Sequence, residues 1–131
     1  MGELEVAEGE RQARALFGDA RYEQSRAPAA QGYRRELLCL ADEVVFGQIY
    51  GREGLQLVQR AICTISALTV LGQTTQLRVH VAAALRIGVT PREIAEVVTQ
   101  MAVYGGFPAA LNAMQVVDEC VRAAAEDRGD R

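Results

Sequence analysis

Val89-Thr90-Pro91-Arg92-Glu93 constrains the fold of this chain more than any other five residues. A threonine at the N-cap accepts from the backbone three residues on, proline suits the first helical position, and a glutamate at the third returns a bond to the cap. A helix therefore starts at Pro91. It is expected to bury Ile94, Val97, Val98, Met101 and Ala102, which recur at helical steps, and to stop at Gly105-Gly106.

The same punctuation orders the flanks. Gly88 closes a helix that runs back to Thr74 or Thr75 as its cap, with Leu77, Val81, Ala84 and Leu85 on one face. Gly72 ends a helix over residues 55–71, and because residues 61–71 hold no charge, that helix is expected to be buried on nearly all sides. Pro108 begins the last helix, whose inward stripe is Leu111, Met114, Val117 and Val121. Upstream, a helix from Tyr33 to Phe46-Gly47 puts Leu37, Leu40, Ala41, Val44 and Val45 on one face, with Arg34, Arg35, Glu36, Asp42 and Glu43 on the other. Residues 48–54 form a glycine-rich connection where a ligand or a neighbouring subunit can approach.

Residues 11–16 read as a short helix ended by Gly18-Asp19, and residues 25–32, around Pro28, as a loop. Residues 1–10, with Glu3, Glu5, Glu8 and Glu10, are an acidic flexible lead; residues 11–126 are the domain; residues 127–131 are a charged tail. No segment shows the two-residue alternation of a half-buried strand. The fold class is therefore all-α, a single domain of about six helices.

Composition excludes several partners. The chain has 131 residues, 50% of them hydrophobic, yet no run approaches the roughly 18 uncharged apolar residues of a membrane span, and the acidic start is unlike a signal peptide. A soluble cytoplasmic protein without a membrane partner is expected. The formal net charge of −3 argues against nucleic acid, whose phosphates demand a basic face. The turn from Gly88 to Val97 has the look of a DNA-reading helix, but Glu93 and Glu96 against Arg92 would repel phosphate. Cys39, Cys63 and Cys120 stand apart in apolar segments, which suggests buried small hydrophobes and neither a disulfide framework nor a zinc site.

The polar residues next to apolar helices are few. His80 is the one histidine, and on its face it is either a satisfied core residue or a proton carrier. Arg60 flanks the uncharged helix and either reaches solvent, joins a structural ion pair, or meets an anion. Gln48, Tyr50, Gln100 and Tyr104 lie near glycine breaks. No cluster supplies three metal ligands, and Ser25 and Ser66 lack a nucleophile's setting. What these residues suit is acid–base work without a cofactor on a small anion, with an arginine holding a carboxylate and a histidine moving a proton.

The residues then carry a family likeness. Leu77-Arg78-Val79-His80, Ala82-Ala83-Ala84, Gly88-Val89-Thr90, Glu93-Ile94, Glu96-Val97, Gln100 and the run Tyr104-Gly105-Gly106-Phe107-Pro108-Ala109-Ala110-Leu111-Asn112-Ala113 resemble the carboxymuconolactone decarboxylase family. Phe46-Gly47-Gln48-Ile49-Tyr50 and Arg60 fit its upstream half, and Leu16-Phe17-Gly18-Asp19-Ala20 is similar to the start of its stand-alone γ-carboxymuconolactone decarboxylases. The resemblance implies an alkylhydroperoxidase-like all-α fold that assembles into homo-trimers or hexamers with active sites near subunit contacts. It implies decarboxylation of an unsaturated lactone acid without a cofactor, His80 transferring the proton and Arg60 binding the substrate carboxylate. Gln48, Tyr50, Gln100 and Tyr104 would shape the pocket.

Two departures refine this. The peroxide-reducing branch of the superfamily uses Cys-x-x-Cys-x-x-x-His, and counting back from His80 those places hold Gln73 and Gln76, so the dithiol route is absent. In the Phe-Gly-acid-Ile-aromatic segment the chain has Gln48, and an amide is neither general acid nor base; Tyr50 stands where tryptophan is common. A member recruited for another step without a cofactor, whether isomerisation, dehydration, cyclisation or decarboxylation in small-molecule biosynthesis, is the second reading. A binding or assembly protein without catalysis is the third.

Overall fold

A computed structural model describes residues 2–27 and 32–129. Among the described residues every regular element is helical, and no helix is long and apolar enough to cross a membrane. The chain divides into two compact units, Met1–Leu57 and Val58–Arg131.

In the first unit α1 (Glu3–Phe17) and α2 (Asp19–Ser25) meet at Gly18, whose φ of 87° only glycine adopts at little cost. Helix α1 starts at Glu3 and not at Arg11, because its acidic first half is tied to its basic second half. Gln12 Nε2 donates to Glu8 Oε1 at 2.8 Å and Arg14 Nε to Glu10 Oε1 at 2.9 Å, both at helical spacing. Ala13 and Leu16 are fully buried.

Helix α3 (Tyr33–Ala41) passes without a break into a π-helical segment, Asp42–Tyr50. The expected end at Phe46-Gly47 is thus displaced to Tyr50, and Gln48, Ile49 and Tyr50 belong to this helix rather than to the connection, which spans 51–56. The π segment packs on α1: Phe17 and Phe46 meet edge to face with centroids 5.5 Å apart, and Tyr50 lies 5.0 Å from Phe46. Gly9 makes the approach possible, since a Cβ there would run into the Asp42 carbonyl oxygen and come within 3.3 Å of Gly47 N. The apolar face of this helix is open: Leu37 is 68% exposed, Leu40 53%, and Val44 and Val45 are exposed as well. Periodicity marked this face as apolar, but this one chain leaves it uncovered. The middle of the loop expected over 25–32, residues 28–31, lies outside the described residues.

The second unit holds α4 (Leu57–Leu71) from its second residue, α5 (Thr74–Arg86), α6 (Pro91–Gly105) and α7 (Phe107–Gly129). The expected glycine stops form as Schellman turns. Gln73 N donates to Leu68 O at 3.0 Å and Gly72 N to Thr69 O at 3.1 Å; Val89 N donates to Ala84 O at 3.0 Å and Gly88 N to Leu85 O at 3.3 Å. After Gly72 the chain turns so tightly that Gln73 is itself the N-cap of α5, and no threonine side chain caps it. The expected capping box at Thr90 and Glu93 is complete.

Packing uses one stripe per helix. Ala61, Ile65 and Thr69 of α4, Leu77, Val81 and Ala84 of α5, Ile94, Val98 and Ala102 of α6, and Ala110, Ala113, Val117 and Cys120 of α7 are buried. Helix α4 is therefore not buried on nearly all sides: Cys63, Ala67, Val70 and Leu71 face outward. Its hydroxyls fold back on the helix, Thr64 to Arg60 O, Ser66 to Ile62 O and Thr69 to Ile65 O, at 2.8 to 3.0 Å. Leu111, expected inside, is 67% exposed. Of the three cysteines, all free, only Cys120 is buried; Cys39 and Cys63 are exposed. The charged stretch after Glu126 continues as helix to Gly129, and residues 130–131 lie outside the described residues.

Candidate active site

Six polar residues were expected to form the site, and the two units divide them. Gln48 and Tyr50 lie in the last turn of the π segment. Gln48 is exposed, whereas Tyr50 is buried against Phe46. Helices of the π type are rare and recur at functional sites, because the extra residue in the turn re-aims the side chains that follow. The sequence offers no local sign of this, since Asp42–Tyr50 contains nothing a straight α-helix would refuse.

The second unit holds the other four. Arg60 ends the first turn of α4 and is half-buried, with Nε shielded from solvent. His80 stands midway along α5, half-buried, with Nδ1 likewise shielded. Low local dielectric strengthens whatever polar interactions such shielded nitrogens make. Gln100 and Tyr104 occupy one face of α6 a turn apart, and both are exposed, Tyr104 by 74%. Within one chain they sit on the surface.

Contacts from α7 hold α5 in place. Arg78 Nη2 donates to Glu119 Oε2 at 2.5 Å, and Cys120 Sγ donates to the Arg78 carbonyl at 3.6 Å. Arg78 and Gln115 hold the Glu119 carboxyl below the usual carboxylate range, and Glu119 in turn raises the Arg78 guanidinium. Both bonds fall on Arg78, two residues before His80, and the second reaches its backbone. Sequence reading treated Cys120 only as a small apolar residue, and a bond to the main chain leaves no pattern in side-chain identity.

Helix α7 also lines open cavities. One of about 620 Å³ lies between the start of α6 and α7, edged by Arg92, Asp118 and Arg122 over Met114, Val117 and Val121. Another of about 400 Å³ lies between α5 and α7, with Arg78, Arg86 and Arg128 at its rim and Cys120 in its wall. None of the six candidate residues lines either.

The sequence profile of the carboxymuconolactone decarboxylase family matches residues 35–119, a span that includes all six candidates. Over 76 residues the chain is 45% identical to an uncharacterized 15.0 kDa protein from the nqo9-nqo10 intergenic region of Paracoccus denitrificans, covering 56% of this chain and 57% of that protein. It is 35% identical over 74 residues to the 4-carboxymuconolactone decarboxylase of Acinetobacter baylyi, covering 56% and 55%. It is 33% identical over 82 residues to the nitrosuccinic acid decarboxylase of Metarhizium robertsii, covering 63% and 57%. The matched region spans little more than half the length of these relatives.

Proposed function

The chain belongs to the carboxymuconolactone decarboxylase family, and on that premise we propose that it decarboxylates a small unsaturated lactone carboxylic acid of the 4-carboxymuconolactone type without a cofactor. Arg60 binds the substrate carboxylate, His80 transfers the proton, and Gln48, Tyr50, Gln100 and Tyr104 shape the pocket. The observation that supports this reading most is the shielding of Arg60 Nε and His80 Nδ1 on successive helices inside the matched span.

The chemistry asks little more of the protein. When the bond to the carboxylate carbon breaks, carbon dioxide leaves and its electron pair spreads through the conjugated lactone as an extended enolate. An imidazolium then protonates the carbanion, and a cation near the developing charge stabilises it.

Gln48 favours the second reading, a member recruited for another step without a cofactor. An exposed amide stands where an acid was expected, and one relative is named for nitrosuccinic acid. The third reading is a binding or assembly protein. In each the chain works as a cytoplasmic homo-oligomer, a trimer or hexamer. This assembly is supported by the apolar surface at the α6–α7 turn, where Val103 is 79% exposed, Tyr104 74%, Phe107 70% and Leu111 67%.

The test is carbon dioxide release from γ-carboxymuconolactone by the purified protein, with nitrosuccinate as a second substrate. Release from the lactone is expected. No release with the helical fold intact sinks the lactone reading, and release from nitrosuccinate alone establishes the recruited one.

A further inference from the structure

We propose that the Arg26–Asp42 ion pair, together with Gly9, clamps the register of the π-helical segment and is a positioning element for Gln48 and Tyr50; the functional part of this rests on the reading of those two as pocket residues. Asp42 is the first residue of the π segment. Arg26 grips it bidentately, Nε donating to Oδ2 at 2.9 Å and Nη2 to Oδ1, and both side chains are largely buried. A planar fork on a carboxylate fixes direction as well as distance. Tyr22 stacks on the same guanidinium, its ring centroid 4.7 Å from Arg26 Cζ, and also on Arg14 at 4.5 Å. From α1, Gly9 lets the helix backbone lie against the Asp42 carbonyl and Gly47 N.

The clamp sits where a change of register would start. A π-helix closes i to i+5 and an α-helix i to i+4, so between Asp42 and Gln48 the two diverge by roughly a third of a turn. A segment released into the α register would therefore swing Tyr50 off Phe46 and turn Gln48 to a new direction. Asp42 precedes Gln48 by six residues and Tyr50 by eight. The effect of the pair passes through the helix that begins at Asp42.

The discriminating variant is the double Arg26→Met/Asp42→Leu, which keeps packing volume but removes direction. Replacing a buried ion pair by apolar residues of similar size commonly preserves stability. The expected result is cooperative melting near the wild-type temperature, with nitration of Tyr50 by tetranitromethane rising severalfold against Tyr33, which is 90% exposed and serves as the internal reference. With γ-carboxymuconolactone as probe, kcat/KM falls by about tenfold to a hundredfold at unchanged melting temperature, as misplacement of pocket groups does. Arg26→Lys, which keeps the charge but loses the fork, shows the same pattern more weakly. Tyr50 remaining protected in the double variant overturns the proposal, as does loss of cooperative melting in both variants, which makes the pair a matter of stability alone. If the wild-type protein does not turn over the probe, the proposed function fails while the nitration result still decides the clamp.

Discussion

Thr90 and Glu93 cap α6 reciprocally: Glu93 N donates to Thr90 Oγ1 at 3.1 Å, and Thr90 N donates to Glu93 Oε1 at 2.9 Å. Thr90→Ala removes the acceptor and leaves an unmet donor at the helix start. The expected loss is about 1 kcal/mol, read as a fall of a few degrees in melting temperature. Thr90→Ser should restore most of it.

Acid should weaken the second unit through two carboxyls. The backbone of Thr90 holds Glu93 below its ordinary range, and Arg78 does the same for Glu119. A depressed carboxyl contributes stability that is complete above the ordinary glutamate value of about 4.3 and is lost as pH falls through the lower folded value. Melting temperature against pH should therefore fall less steeply below about pH 4.3 in Glu93→Gln and Glu119→Gln than in the wild type. An unchanged slope in both variants would refute the assignment.

His80 and Arg60 should fail in different ways on γ-carboxymuconolactone. His80→Gln keeps hydrogen bonding without an acid of suitable strength, and kcat should drop by about 10²–10⁴-fold with melting little changed. Arg60→Lys keeps charge but not the planar fork, so KM should rise while kcat suffers less. Unchanged turnover in His80→Gln would return the histidine to a core role.

Phe107→Glu places a charge in the exposed apolar surface beside Tyr104. Sedimentation velocity should show the wild type as an oligomer and the variant shifted toward the single chain. A wild type that sediments as one chain contradicts the assembly.

What the sequence made legible was whatever is decided locally. Thr90, Pro91 and Glu93 act within one helical turn, and Gly72 and Gly88 each end a helix through their own backbone freedom, so reading them needed no knowledge of neighbours. Leu37 and Leu111 mark the limit. Their spacing defines an apolar face, but which face is covered depends on what packs there, and both are open in one chain. The early start of α1 was hidden because four glutamates suggest a solvated lead unless the partners of Glu8 and Glu10 at helical spacing are counted. The π segment was hidden for a stronger reason: its signal is the distant pairing of Arg26 with Asp42 and the bare backbone at Gly9. Of the candidate site, residue identities were legible, while the shielding of Arg60 and His80 and the exposure of Gln100 and Tyr104 belong to tertiary structure.

Gly106 is the whole connection between α6 and α7, with φ of 94°. Just before it, Gly105 lies so close to Val70 that a Cβ would come within 3.0 Å of the Val70 Cα. A link of one residue has no slack. An added residue there would turn the start of α7 by roughly a quarter turn and carry Phe107 and Leu111 round with it. The 51–56 connection, exposed throughout, is by contrast a place where the chain can be lengthened at small cost. Tags, labels or grafted loops therefore belong at 51–56, and the α6–α7 corner is where length itself is under constraint.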